Sequence, residues 1–258
     1  MESPEPRDHD HRDMAAPDLE AGVEVWTTLV SSVDVSEDAA ARCLSDDELA
    51  RAARFRSPED RASCVAAHRL LRAALGARVG ADPRTLRFEA QDGGKPVLSG
   101  RRGPEFNLSH ARGVVTVAGG GAHPVGVDVE RVRTDAIARE LEARVLHPDE
   151  RARLRDDVAP ARAFFQLWVL KEAYIKATGE GLAAPLREIC FDPERTALDA
   201  LPEGRDPARW SFDRRGLIVT IGRHEVAVCC AVCWAGGGTA HWRTPGEARA
   251  LLGDVDHR

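Results

Sequence analysis

A run of three glycines, Gly119-Gly120-Gly121, followed at once by Ala122-His123-Pro124, breaks this chain near its middle. Such a run favours neither a helix nor a central strand, because glycine is too free and proline lacks a donor. Each side must therefore build its own elements, in about 100 residues. Before the break, VEVWTTLV (23–30) reads as a strand. Ser45 followed by Glu48 has the form of a capping box, so a helix opens over DDELARAARF. Ser57-Pro58 opens another, with Val65, Leu70, Leu71, Ala74 and Leu75 at helical spacing and Gly76 or Gly80 as its stop. LRFEA (86–90), FNLSH (106–110) and VVTVAG (114–119) read as strands, and DGGKP (92–96) as a turn. After the break come a strand, VGVDVERV (125–132), and a helix, TDAIARELEARVL. His147-Pro148-Asp149-Glu150 starts another helix, and the longest runs from Pro160 to Thr178, stopped by Gly179 and Gly181. ICFDP, WSFD, GLIVTIG and EVAVCCAVCW close the pattern, the last three as strands with turns between them.

Each side is thus a strand, then helices, then short antiparallel strands. That order predicts an α+β fold of two half-domains with a cleft between them. The boundaries expected are a tail at 1–21, half-domains at 22–122 and 123–235, and a Gly-rich tail at 236–258. The opening residues are polar, charged and proline-rich, so they read as neither signal peptide nor membrane span, and as too poor in apolar area to hold a fixed structure. His9 and His11 within them read as solvated.

The formal net charge of −6 gives the chain no electrostatic footprint for nucleic acid. Six cysteines are present, at 43, 64, 190, 229, 230 and 233. The last three lie in an apolar run without a second Cys/His pair at zinc spacing, and read as small hydrophobes in a buried strand. Nothing suggests a disulfide framework, which points to a reducing cytoplasm.

Asp128 and Glu130 stand two apart on the strand GVDVE, so they share a face while Val127 and Val129 take the other. Adjacent carboxylates repel unless a cation lies between them, and hard oxygen donors suit magnesium. On the long helix, Trp168, Lys171, Glu172 and Lys176 crowd beside an apolar stripe holding Phe164, Phe165 and Leu167. Charges beside a core are costly unless paired or used. His110 ends a strand, Lys95 lies in a glycine turn, and Arg51, Arg54, Arg56, Arg61, Arg69 and Arg72 make one segment basic in an acidic chain. A phosphate-rich ligand would account for that concentration.

RFRSPEDR…HRLLRAAL, GGKP with FNLSHA, GVDVERV and FFQLWVLKEAYIKATGEGL, in this order over about residues 42–182, resemble the 4′-phosphopantetheinyl transferases of the surfactin-synthetase type. GxDxE about 40 residues before WxxKExxxK carries most of the resemblance. It implies a pseudo-twofold pair of α/β half-domains in a monomer. It implies Asp128, Glu130 and Glu172 as ligands of a magnesium ion that meets the pyrophosphate of coenzyme A. Lys176 would contact a phosphate, with Lys171 beside it. His110 and Arg51 would meet the 3′-phosphate region, with Arg72 in the same basic segment. Lys95 and Pro96 would line the adenine side, Ser109, placed with the coenzyme A-binding residues, and Asn107 would shape the turn, and Glu150 would stand near the cleft. Two positions depart from the family pattern: Glu48 replaces a frequent basic residue, and Cys64 replaces a hydroxyl in some members.

The reaction implied is attack by a carrier-protein serine on the β-phosphate of coenzyme A, with adenosine 3′,5′-bisphosphate leaving. Glu172 and Glu150 are the two carboxylates that could take the serine proton. The partners are acyl or peptidyl carrier domains, with the basic 51–72 and 111–113 segments available to meet them. A nucleotide hydrolase is disfavoured because no P-loop pattern is present. The alternative is an inactive module that binds coenzyme A or a carrier protein.

Overall fold

The structure is a computed structural model that describes residues 22–90, 95–100 and 103–256. The first half begins with β1 (Val23–Leu29), followed by helices α1 (Glu37–Cys43), α2 (Asp46–Ala53) and α3 (Pro58–Val79). Four strands follow: β2 (Phe88–Ala90), β3 (Pro96–Leu98), β4 (Phe106–Ala111) and β5 (Val114–Gly119). The second half runs β6 (Val125–Arg131), α4 (Asp135–Val145), α5 (Pro148–Leu154), α6 (Pro160–Thr178), β7 (Cys190–Asp192), β8 (Ala197–Ala200), β9 (Trp210–Ile221) and β10 (His224–Ala235). β11 (Ala240–Arg243) and α7 (Pro245–Asp256) complete the chain. The fold is α+β.

The helices start and stop where local chemistry dictates. Ser45 Oγ accepts from the Glu48 N–H, and the Glu48 carboxylate accepts from the Ser45 N–H at 2.8 Å, closing the expected capping box of α2. Ser57 caps α3, which ends at Gly80 in the left-handed region at φ +64°. Gly179, at φ +78°, ends α6 in the same way.

One sheet has the order β11-β1-β5-β4 and the other β6-β10-β9, while β2–β3 and β7–β8 form two small hairpins. The α3 face (Ala66, Leu70, Leu71, Leu75) packs with Val115 and Val117 of β5 in the first half. In the second, Phe164, Phe165, Leu167, Leu170 and Tyr174 of α6 pack on Cys229, Ala231 and Cys233 of β10. A third cluster spans both sheets, joining Val23, Val25 and Ala118 to Val125, Val127, Val232 and Trp234. Each aliphatic side chain buried this way contributes about 1.5–3 kcal/mol. All six cysteines are buried and free, and along β10 they alternate between cores at strand period.

Five features differ from expectation. WSFD and GLIVTIG are not two strands but one, β9, paired with β10 from Trp210 to Ile221. Helix α1 and the hairpin strands β3 and β8 were not expected. The segment after Gly236 is no tail: β11 pairs in parallel with β1, and α7 buries Ala248 and Leu252 in the core under α3. Trp242 packs on both sheets' clusters, and Arg243 pairs with Glu24, so this segment has both apolar and ionic reasons to order. The expected N-terminal tail and most of the DGGKP turn lie outside the described residues.

Candidate active site

β4 and β6 run side by side where the two sheets meet. Asn107 of β4 accepts from the Val127 N–H at 3.0 Å, which locks the two strands in register. Val127 and Val129 point into apolar clusters, so Asp128 and Glu130 face the other way, as strand alternation requires. Helix α6 lies directly over this face. It comes close because residue 126 is glycine: a Cβ there would stand 2.1 Å from the Ala173 carbonyl oxygen and 2.4 Å from the Ala177 nitrogen. Glu172 and Lys176, one turn apart on α6, are thereby brought to β6.

Lys176 Nζ donates to Asp128 Oδ1 at 2.6 Å and to Ser109 Oγ at 3.0 Å. The Ser109 hydroxyl donates to the same Asp128 oxygen at 2.8 Å. Glu130 accepts from the Trp168 indole N–H at 3.3 Å and from Arg133 at 3.4 Å. His110 stands at the end of β4, its ring edge-on to Phe55 at 5.9 Å. Burial, with His68 and Lys176 nearby, pushes the His110 imidazole below its ordinary value.

The three carboxylates strain one another electrostatically. Burial and then the Asp128 charge push the Glu172 carboxyl up to about 7. Burial and Asp128 also raise Glu130. Asp128 Oδ2 and Glu172 Oε1 are buried without a hydrogen-bond partner among the described residues. Buried carboxylate oxygens left unpaired beside further negative charge are costly, and a hard divalent cation would satisfy them. The all-oxygen donor set fits magnesium by its chemistry, while the ligand oxygens of Asp128, Glu130 and Glu172 do not all come within 4.8 Å of one another.

Beside this cluster a cavity of about 540 Å³ opens along β4, walled by Arg51, Arg54, Arg87, Phe88, Pro96 and Leu108. Arg51 and Pro96 thus both line this cavity.

Three sequence-expected residues are not brought to it, and a fourth, Arg72, reaches it already paired. Lys171 is fully buried, its ammonium 2.9 Å from the equally buried Glu150 carboxylate. It also donates to the carbonyls of Leu186 and Ile189, while Glu150 accepts from the Phe191 and His147 N–H groups. One residue of helix rotates a side chain by about 100°, so the neighbours Lys171 and Glu172 leave the helix toward different partners. This corrects both expectations: Lys171 cannot lie beside a phosphate, nor Glu150 take a proton in the cleft, from this buried pair. Arg72 reaches the cavity, but its guanidinium is spent on Glu48 and on the carbonyls of Pro83 and Leu86. That pairing explains why an acid occupies position 48. Lys95 turns to Glu105 and the Val125 carbonyl, at 2.9 and 3.0 Å, and not to the cavity wall.

Two positions matter more than the sequence suggests. Trp168 orients Glu130, and Asn107 joins the strands that carry the cluster. Both lie inside the quoted motifs, and an indole N–H or amide beside acidic positions was the available signal.

Both halves of the chain match known proteins. Residues 124–229 match the 4′-phosphopantetheinyl transferase superfamily, and residues 31–121 match the 4′-phosphopantetheinyl transferase N-terminal region. The 4′-phosphopantetheinyl transferase HetI of a Nostoc species is 36% identical over 166 residues, 62% of this chain and 70% of the relative. The 4′-phosphopantetheinyl transferase Sfp of Bacillus subtilis is 32% identical over 159 residues, 56% of this chain and 70% of the relative. A putative 4′-phosphopantetheinyl transferase of a Synechocystis species is 28% identical over 186 residues, covering 70% of this chain and 76% of the relative. The chain belongs to the 4′-phosphopantetheinyl transferase superfamily and is related to its Sfp-type members.

Proposed function

We propose that this protein is a magnesium-dependent holo-[carrier protein] synthase. It moves the 4′-phosphopantetheine arm of coenzyme A onto a serine of an acyl or peptidyl carrier protein and releases adenosine 3′,5′-bisphosphate. The observation that carries this reading is the pair of unpartnered buried oxygens, Asp128 Oδ2 and Glu172 Oε1, beside Glu130 and next to an arginine-walled cavity.

In this reading the cleft lies where β4 of a half-domain at 22–122 meets β6 and α6 of a half-domain at 123–235. Asp128, Glu130 and Glu172 would hold magnesium, which would supply charge neutralisation for the phosphoryl group in transfer. Lys176 fixes Asp128 and stands ready to contact a phosphate. Arg51 and Pro96 line the nucleotide cavity, and His110 stands on the same strand, β4, as its lining residue Leu108. Ser109 holds both Asp128 and Lys176, so it acts by positioning. With Glu150 sealed against Lys171, Glu172 is the carboxylate left at the cleft to receive the serine proton, directly or through water. The enzyme acts as a cytoplasmic monomer; no helix among the described residues is long and apolar enough to cross a membrane.

The test is to incubate the protein with coenzyme A, magnesium and an apo carrier protein, and to weigh the carrier by intact-mass spectrometry. The expected result is a carrier heavier by one phosphopantetheine arm, and no gain with chelator. Unchanged carriers of every type, with coenzyme A still bound, would favour the inactive binding module.

A further inference from the structure

Away from the acidic cluster, a ring nitrogen of His147, an Asp149 carboxylate oxygen and Cys190 Sγ all lie within 4.8 Å of one another. Among the described residues no other group of three or more His, Cys, Asp or Glu side chains is gathered so closely. Local sequence does not explain the grouping. His147 and Asp149 open α5, whereas Cys190 begins β7.

We propose that His147, Asp149 and Cys190 form a second metal site, for a zinc-class divalent cation. Imidazole nitrogen, carboxylate oxygen and thiolate sulfur make a mixed donor set that suits zinc and not magnesium. His147 Nδ1 and an Asp149 oxygen are 3.6 Å apart. Ligands at about 2.1 Å from a tetrahedral ion stand roughly 3.4 Å from each other, so this edge is nearly formed before any ion binds. A thiolate at about 2.3 Å from the same ion stands roughly 3.6 Å from the other ligands, so Cys190, now within 4.8 Å of them, has to close by at most about 1.2 Å to join it.

Charge also balances. One thiolate and one carboxylate neutralise the dication, next to a Lys171–Glu150 pair that is itself neutral. His147 further forms part of the wall of an open cavity of about 800 Å³ with Arg144, Leu186 and Leu201, which gives an ion a path in and leaves water for the fourth position. Binding takes the lone pair with which His147 Nδ1 accepts from the Asp149 N–H, at 3.2 Å. The other half of that cap, the His147 N–H to Glu150 at 2.8 Å, is untouched. The bound ion fastens the start of α5 to β7 and displaces the thiol proton to solvent.

The test is titration of the full-length protein with Co²⁺, followed by the sulfur-to-cobalt charge-transfer absorption that carboxylates alone never give, with Zn²⁺ as competitor. One Co²⁺ per chain should produce the band, and Zn²⁺ should abolish it. Cys190→Ser, Asp149→Asn and His147→Ser should each remove the band or weaken binding at least about tenfold, the scale at which even outer-shell partners matter. His147→Ser keeps a good N-cap acceptor, so α5 still forms. Circular dichroism and magnesium-supported carrier modification should stay at wild-type levels in all three. No band in the wild-type protein, or a band of wild-type affinity in any of the three variants, overturns the site.

Discussion

Gly126→Ala asks whether the close approach of β6 and α6 assembles the active site. The added Cβ would stand 2.1 Å from the Ala173 carbonyl oxygen and 2.4 Å from the Ala177 nitrogen, whereas ordinary contact begins at 3.4 Å. Both neighbours are backbone, so no rotamer change relieves the clash, and strand and helix must part by about 1.3 Å. Overpacking of this kind costs about 1–3 kcal/mol. Its catalytic cost is separate. Asp128 and Glu130 ride on β6 while Glu172 and Lys176 ride on α6, and a misplacement of about 1 Å between reacting groups costs on the order of 100-fold in rate. Urea unfolding reads the first effect, and the initial rate of carrier modification by intact mass reads the second. A variant with the wild-type unfolding midpoint and full rate would refute the reasoning.

Other predictions concern titration and the buried pair. In metal-free protein the Glu172 carboxyl sits at about 7, raised from 4.5. A raised folded-state value means that this group's stabilisation is complete below about 4.5 and is lost as pH climbs through about 7. Urea unfolding without metal should show that declining limb, and Glu172→Gln should flatten it. Across the same window magnesium has to displace the proton, so calorimetry should find its affinity rising with pH by up to about tenfold per unit; a flat profile would contradict the assignment. Lys171→Met leaves the Glu150 carboxylate buried without its cation and should cost about 3–5 kcal/mol in urea unfolding. Lys171→Met with Glu150→Gln should recover a large part of that loss. The KM for coenzyme A of whatever folds should not change. A raised KM at unchanged stability would return Lys171 to the phosphate.

The sequence made the helix limits and strand faces legible because their causes are local. Ser45 with Glu48, Pro58, Gly80 and Gly179 each act within a turn of chain, and Asp128 and Glu130 share a face by strand period alone. Long-range partners were not legible. Lys171 and Glu172 are neighbours in sequence, and only the packing of α5 and β7 decides that one is buried while the other faces β6. Arg72 looked like a phosphate ligand until Glu48, 24 residues away, took its guanidinium. The C-terminal segment was misread for a different reason. Its glycines at 236–238 suggested a tail, yet Thr244 and Glu247 form a capping box just beyond them. That signal was present, and β11 is recognisable only against β1, more than 200 residues earlier.

The central claim is that Asp128, Glu130 and Glu172 jointly hold one divalent ion at the cleft. Mn²⁺ binding followed by electron paramagnetic resonance, with coenzyme A present, tests it most directly. The account predicts one Mn²⁺ per chain, displaced by magnesium, with binding lost in Asp128→Asn and Glu172→Gln while circular dichroism is unchanged. Undiminished Mn²⁺ binding in both variants would contradict it.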